Sequence, residues 1–335
     1  MNFWEKINPP AGGPILCLAP MADVTDVAFR HIISKYSDIP HVTYTEFVSA
    51  DGLVRAPEAG RRKLLKDLEY SEIERPIIAQ FFTSKPEMME KAAELAVQLG
   101  FDGVDINMGC PDKSIEKQGA GAALIKNPKL AREIIVSAKL GVVKAAKAFN
   151  KEEIPVSVKT RIGYNKDELE QWLPELLAEN PAVIIIHART RKEMSKVPAR
   201  WEYIKRAVEI RNEIHSQTLI IGNGDVEDIS DANSKCEESG ADGAMLGRAI
   251  FGNPFLFSKR KEEQITVEEK LKVLLEHVKL FEEKLGGFKN FAIMKKHFKA
   301  YLSSSEVRDL KFKLMRTENA KEVEELISDF RPPVE

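Results

Sequence analysis

Cysteine is scarce. Cys17, Cys110 and Cys236 are the three in 335 residues, and they stand far apart, with no C-x-x-C pair and no cysteine–histidine spacing that would hold a metal. A sparse, odd set excludes a disulfide framework and suits a reducing compartment. Long apolar runs are also missing: the longest, such as 182–186, are strand-sized and far short of a membrane span. No basic segment followed by an apolar stretch opens the chain, so no signal peptide is expected. Neither sign of charge dominates, with 50 basic against 52 acidic side chains and a net charge of −2. That excludes a wholly basic nucleic-acid coat but allows a local patch. No internal repeat or low-complexity segment is present. The expectation is a cytoplasmic protein with no membrane contact and no metal centre.

What is present is alternation. Eight short runs rich in Val and Ile read as strands: ILCLAPM (15–21), VTYTEFV (42–48), PIIAQFF (76–82), GVDINMG (103–109), PVSVKTRIG (155–163), AVIIIHART (182–190), TLIIGNGD (218–225) and GAMLGR (243–248). Helical stretches lie between them. In 86–100, Met89, Ala92, Ala93, Ala96 and Leu99 follow helical spacing, with Pro86 at the start and Gly100 at the stop. Residues 127–149 read as helix throughout. Eight buried parallel strands with intervening helices are what a TIM (β/α)8 barrel needs, and a doubly wound sheet is the structural rival. The position of the polar residues favours the barrel. Met21, Glu46, Gln80, Asn107, Lys159, Arg161, His187, Asn223 and Arg248 each fall at the C-terminal end of a strand, and in a barrel those ends converge on one mouth.

After about residue 257 the strands stop. Residues 266–287, 288–304 and 317–330 read as helices, so the chain divides into a barrel domain over 1–258 and an all-helical domain over 259–335. Residues 284–316 hold nine basic side chains, among them Lys295, Lys296 and Lys299, against two acidic ones, a local charge of +7 in a chain of −2.

The strand ends suggest chemistry. In barrels the loops after the seventh and eighth strands commonly hold a phosphate through backbone N–H groups. Here they read GNGD (222–225) and LGRAIFGNP (246–254), with glycines that allow close approach and Arg248 as a bidentate cation. Lys159 at such a mouth is open to two readings, a Schiff-base amine or a cation beside an electron-rich ring. His187 alone reads more readily as structural than catalytic. Gln80 carries both a donor and an acceptor, which suits the edge of a pyrimidine-like ring. A phosphate site with Lys, His, Gln and Asn around one mouth fits bound flavin mononucleotide (FMN) better than a sugar phosphate. Cys110 lies just beyond a strand, between Gly109 and Pro111, and is open to three readings: a proton donor, a nucleophile or an inert buried thiol. A thiol with a pKa near ~8.5 is mostly protonated at neutral pH and can act as a general acid. Cys17 and Cys236, within a strand and a helix pattern, read as buried thiols.

At these motifs the sequence resembles the tRNA-dihydrouridine synthases. The segments that carry the resemblance are LAPMADVTDVAFR (18–30), TEFVSADGLVR (45–55), AQFF (79–82), DINMGCP (105–111), GAGAALIKNP (119–128), VKTRIG (158–163), IHARTR (186–191), GNGD (222–225) and ADGAMLGRAIFGNPFLF (241–257). They run in family order over three-quarters of the chain. The resemblance implies an FMN-dependent enzyme that reduces the 5,6 double bond of particular uridines in tRNA. NADPH would be the reductant, hydride would pass from the flavin to carbon 6, and Cys110 would give the proton to carbon 5. It further implies that Pro20, Met21 and Ala22 run along the flavin ring, with Gln80 at its pyrimidine edge and Lys159 and His187 in contact with it. Asn223, Gly224, Asp225, Gly247 and Arg248 would lie on the phosphate side, and Asn107 and Arg161 would face the uracil. The basic tail, with Lys295, Lys296 and Lys299, would grip tRNA. A monomer is expected.

Two departures from the family pattern stand out. KVPARW (196–201) carries Pro198 where a glycine is frequent, and Thr83-Ser84 follow AQFF where a glycine is also frequent. The loop geometry near the substrate is expected to differ accordingly. Two rival functions share many of these residues: a flavin barrel acting on a free pyrimidine or a dihydroorotate-like metabolite, which has no use for a +7 tail, and a tRNA-binding protein without activity.

Overall fold

In a computed structural model that describes residues 3–7, 12–260, 262–302 and 307–330, the strands are β1 (Ile15–Leu18), β2 (Thr43–Tyr44), β3 (Val48–Ser49), β4 (Ile77–Phe82), β5 (Gly103–Asn107), β6 (Val156–Arg161), β7 (Val183–His187), β8 (Leu219–Asn223) and β9 (Gly243–Leu246). All pairings are parallel, in the order β1-β9-β8-β7-β6-β5-β4-β2, with β3 also on β4. The sheet closes where Cys17 bridges Val42, through Leu18 N to Val42 O at 2.8 Å and Val42 N to Leu16 O at 2.9 Å. Closure decides for the barrel, because a doubly wound sheet keeps two free edges.

The second expected strand, 42–48, is broken into β2 and β3 around residues 45–47. Glu46 sits in the gap and is buried; its carboxylate accepts from Asp23 N at 2.6 Å and Lys289 Nζ at 2.6 Å. Reaching these two partners takes the chain out of ladder geometry. The first strand is also shorter than its apolar run. Thr25 Oγ1 accepts from Met21 N at 2.9 Å, which turns the chain over 21–25 at the mouth.

Period-2 alternation sorts the strand residues into two cores. Inside the barrel, Cys17, Tyr44, Ile78, Ile185, Ile221 and Met245 meet, with Trp4 closing the end away from the mouth. Outside, Val104, Ile106, Val158, Ile184 and Ile186 pack under the surrounding helices. This outer core continues into the tail. Helix Val267–Leu285 and helix Met294–Tyr301 put His277 and His297 against Phe29 of helix Val27–Lys35, with ring centroids at 4.8 and 4.6 Å. Helices Arg308–Leu314 and Ala320–Asp329 follow, whereas Ser303 and Ser304, the end of the expected 288–304 helix, lie outside the described residues. No helix among the described residues is long and apolar enough to cross a membrane.

Lys289 departs from the expectation of a basic tail surface. It is largely buried and bridges Glu46 and Asp67, at 2.6 and 3.2 Å. Despite burial, the carboxylates Glu46, Asp67 and Asp26 raise its pKa above the ordinary lysine value, so it stays charged. One of the nine tail cations therefore fastens the tail to the barrel instead of facing solvent.

Asp26, beside this cluster, caps helix Val27–Lys35 by accepting from Phe29 N at 3.0 Å. Burial first, and then Glu46, lift its pKa from 3.8 to about 7. The folded state thus holds a proton that the unfolded chain releases near pH 4. The contribution of Asp26 to stability should fall as pH rises from about 4 to about 7, while the buried histidines His41 and His297, whose pKa values burial lowers, contribute in the opposite direction over that range. The loss amounts to a few kcal/mol, because each tenfold difference in proton affinity between the two states is worth ~1.4 kcal/mol. Asp26→Asn keeps the cap and removes the buried charge. Its melting temperature is expected to rise above the wild type's progressively across that window and by a constant amount above it. A difference independent of pH would count against the assignment.

Candidate functional site

The mouth of the barrel is a cavity lined from every side of the fold. Pro20 and Met21 from the first strand end, Gln80, Asn107, Cys110, Lys159, Arg161, His187 and the 223–225 turn, and Gly247 and Arg248 all reach it. Ala22 alone among the barrel residues read from the motifs is exposed outside the lining. Lys295, Lys296 and Lys299 lie on tail helix Met294–Tyr301, away from the cavity, with Lys296 and Lys299 exposed and Lys295 half-buried. Phe47, Arg189 and Ser195 also line the cavity.

Cys110 stands in a loop braced from three directions. Asn107 Oδ1 accepts from Cys110 N at 2.9 Å and Gly109 N at 3.2 Å. Arg161 Nε donates to Gly109 O at 2.7 Å, and Ala122 N donates to Cys110 O at 3.0 Å. Gly121 is required for the last contact: its φ is +60°, and a Cβ there would stand 2.8 Å from Cys110 O. The thiol itself is half-buried, and burial raises its pKa above the ordinary value. It is therefore protonated at neutral pH.

Arg161 serves this loop more than open space. Besides Gly109 O, it donates to Thr190 O at 3.2 Å and Met194 O at 3.3 Å, joining the Cys110 loop to the loop after β7. An ion pair between Arg191 and Glu116 joins the same two loops further out.

Lys159 donates to Asn223 Oδ1 at 3.0 Å, and Asn223 Nδ2 to Met245 O at 2.8 Å. Burial, and then Arg161 nearby, lowers the Lys159 pKa to about 8. His187 is pushed well below the ordinary imidazole value by burial and by Arg161, Lys159, Arg189 and Arg248 around it, so the ring is neutral. Arg189 Nη1 lies 3.1 Å from His187 Nε2. A guanidinium only donates, so Nε2 accepts and the ring proton sits on Nδ1.

Asp225 occupies the far side, between Arg189 and Arg248, and pairs with both. Burial works against ionisation, but the hydrogen bond from Arg189, the N–H of Ala199 and the two guanidinium charges hold its pKa down to about 2. Gly224, at φ +120°, brings this turn against His187, where a Cβ would come within 3.0 Å of the ring. The Arg189–Asp225 pair also accounts for Pro198. Val197 O accepts from Arg189 Nε at 2.6 Å and Ala199 N donates to Asp225 at 2.8 Å. The loop is tied through the residues on either side of Pro198, so its missing N–H costs nothing. Thr83 and Ser84 are likewise used, donating to Asp51 and to Gln118 O.

The motifs do not single out Asp105 and Arg189 as site residues. Both are buried, at 0% and 2% exposed. The available signal was period-2 alternation, which puts Asp105 on the same inward face as Asn107, and Arg189 two residues beyond His187.

A family model described as dihydrouridine synthase matches residues 17–331. The chain belongs to the dihydrouridine synthase family. It is 38% identical over 332 residues to a probable tRNA-dihydrouridine synthase of Staphylococcus aureus (strain MRSA252), covering 98% of this chain and 95% of the relative. It is also 38% identical over 335 residues to probable tRNA-dihydrouridine synthase 2 of Bacillus subtilis (strain 168), covering 98% and 96%. Among solved structures, histamine dehydrogenase from Rhizobium sp. 4-9 superposes with a TM-score of 0.54 at 12% identity, over 82% of this chain and 50% of that one. An amine oxidase from Pseudomonas geniculata N1 gives a TM-score of 0.52 at 13% identity, over 74% and 48%. At that identity the likeness speaks to the barrel fold alone. As a member of the dihydrouridine synthase family, the protein is an oxidoreductase.

Proposed function

We propose that this dihydrouridine synthase reduces the 5,6 double bond of uridines in tRNA, using FMN held in the barrel mouth and NADPH as reductant, and that Cys110 supplies the proton to carbon 5. The observation that carries the reading is a protonated, half-buried thiol braced at the rim of a cavity that Arg189 and Arg248 also line.

The residues present fit a flavin mononucleotide. Gly247 leaves space beside Ala19 and Met21, where a Cβ would come no closer than 3.6 Å to a neighbour. Pro20, Met21, Gln80, Lys159 and His187 would hold the ring system. Arg248, whose side chain is 64% exposed and pairs with Asp225, would turn its fork from that carboxylate to a phosphate, with Asn223, Gly224 and Gly247 shaping that end and Asp225 keeping its pair with Arg189. Bound FMN supplies hydride chemistry at carbon 6 of the uracil.

The chain's own residues do the rest. Asn107 and Arg161 set the loop and border the space for the uracil. Cys110 keeps its proton because burial disfavours the thiolate, and delivers it to carbon 5. The uridine must leave its stack to reach the mouth, as base-modifying enzymes require. Residues 1–258 act as the catalytic domain and 259–335 as an RNA-binding domain, in a cytoplasmic monomer. The decisive test is to incubate unmodified tRNA with the FMN-loaded protein and NADPH and to map dihydrouridine. Reduction of free uracil or orotate with none on tRNA would favour the metabolite-reducing rival. A protein that binds tRNA but takes up no FMN would favour the inactive one.

Lysines that neutralise phosphates release counterions, so each contributes about 0.7–0.9 to the slope of log K against log salt. Replacing Lys295, Lys296 and Lys299 together by glutamine is expected to weaken tRNA binding and to lower that slope by about 2–3. An unchanged slope would place the RNA surface elsewhere. Lys289→Gln should act differently, through stability, since Lys289 is buried in an ion cluster.

A further inference from the structure

Below the mouth lies a chain of hydrogen-bonded side chains whose direction is forced at both ends. At the upper end, the N–H groups of Gly109 and Cys110 can only donate, so Asn107 must present its carbonyl oxygen to them. Its amide nitrogen then faces down and donates to Gln80 Oε1 at 3.0 Å. Gln80 is thereby oriented too, and its Nε2 donates to Asp105 Oδ2 at 2.7 Å. At the lower end Asp105 is an acceptor at that oxygen, with Ser157 Oγ at 2.6 Å on the other. Asp105 and Gln80 are fully buried, Ser157 is 1% exposed and Asn107 6%.

Every amide in the chain has one orientation that satisfies it. Turning Gln80 over would set its NH2 against the Asn107 NH2 and its oxygen against the Asp105 carboxylate, leaving buried groups unpaired. The same fault would pass upward to Asn107, which would then offer N–H to N–H at the Cys110 loop. Four residues from three strands, β4, β5 and β6, thus converge on two backbone N–H groups of one loop.

We infer that Asp105 is a positioning residue for the proposed acid: by fixing the direction of the Gln80–Asn107 chain it holds the Cys110 loop, and so aims the thiol. The inference rests on the proposed role of Cys110 as proton donor. Asp105 touches neither the thiol nor the cavity.

An acceptor, rather than a charge, is what the position needs. Asp105→Asn can still offer Oδ1 to Gln80 while its amide donates to Ser157, whose own proton turns to Val104 O, 3.3 Å away. Asp105→Leu offers no acceptor. Two readouts are compared in the full-length, FMN-loaded protein. The first is the single-turnover rate on saturating tRNA, with tRNA Kd measured alongside. The second is the rate of iodoacetamide alkylation at Cys110 without tRNA, read by mass of the Cys110 peptide; Cys17 and Cys236 are buried and serve as internal controls for the fold. Asp105→Leu is expected to lower the turnover rate at least tenfold with Kd within twofold, and to speed Cys110 alkylation at least threefold. Asp105→Asn is expected to stay within threefold of wild type on both.

A merely structural role would expose Cys17 and Cys236 together with Cys110, or would raise Kd along with the loss of rate. Either outcome overturns the inference, as does an Asp105→Leu protein with wild-type turnover and alkylation, or an Asp105→Asn protein as impaired as Asp105→Leu. Should Asp105→Leu fail to fold, Gln80→Leu breaks the next link and must speed Cys110 alkylation in the same way, with variant and wild type both compared free of FMN because Gln80 also lines the cavity. If wild-type protein shows no turnover on tRNA, the proposed function fails, and the alkylation arm still decides whether Asp105 holds the loop.

Discussion

Replacing Cys110 by alanine is expected to lower turnover on tRNA by about 10²–10⁴-fold, the range that a positioned general acid contributes. The thiol is a proton donor whose loop the structure braces at the cavity rim. Asn107 and Arg161 grip the backbone on its N-terminal side, and Gly121 lets Ala122 reach its carbonyl. None of these contacts uses the side chain, so alanine leaves the loop in place. The variant should therefore keep FMN, shown by its absorption spectrum, and bind tRNA with an unchanged Kd. Cys110→Ser retains a proton but on a much weaker acid, and should fall between alanine and wild type. A Cys110→Ala protein that turns over at a third of the wild-type rate or better would remove the thiol from the chemistry.

The largest effect on stability is expected at the buried pair of Arg30 and Glu74. Both side chains are fully buried, with Arg30 Nε donating to Glu74 at 2.7 Å. Arg30 also donates to Thr25 O at 2.8 Å and Glu69 O at 2.6 Å, while Glu74 accepts from Ser71 N at 2.8 Å. Glu74→Ala leaves a guanidinium buried without its counter-charge, which costs about 3–5 kcal/mol. Removing both charges, in Arg30→Met with Glu74→Leu, replaces the pair by apolar volume and should cost less than the single change. Urea denaturation of the three proteins checks both statements. A single variant within 1 kcal/mol of wild type, or a double variant worse than the single one, would contradict them. Because Arg30 holds Thr25, and Thr25 holds Met21, the single variant should also loosen the turn at the mouth and weaken FMN uptake.

Local pattern made much of this protein legible. Parallel strands buried on both faces appear as Val/Ile runs, so β4 to β9 lie within the runs read from the sequence. Where a strand is shaped by something outside itself, pattern misleads. The run 42–48 alternates like one strand, yet Glu46 breaks it to reach Asp23 and, more than 240 residues on, Lys289. The charge count over 284–316 treats Lys289 as surface, because a sequence does not record which lysine meets buried carboxylates.

The site divides in the same way. The sequence by itself determined which chemical groups are available at the barrel mouth: Cys110 between Gly109 and Pro111, Lys159, His187, and the glycines beside Asp225 and Arg248. It did so because strand-end residues of a closed barrel converge wherever the strands fall. Only the tertiary structure decided what each group is held by. Arg161 and Asn107 brace the Cys110 loop, Arg189 and Arg248 share Asp225, and Asp105 sets the direction of a chain that crosses three strands. The physical reason is range. Hydrogen-bond direction and burial arise between side chains that lie up to 50 or more positions apart in sequence, as Ser157 and Asp105 do at a separation of 52. Such contacts leave no periodic trace along the chain.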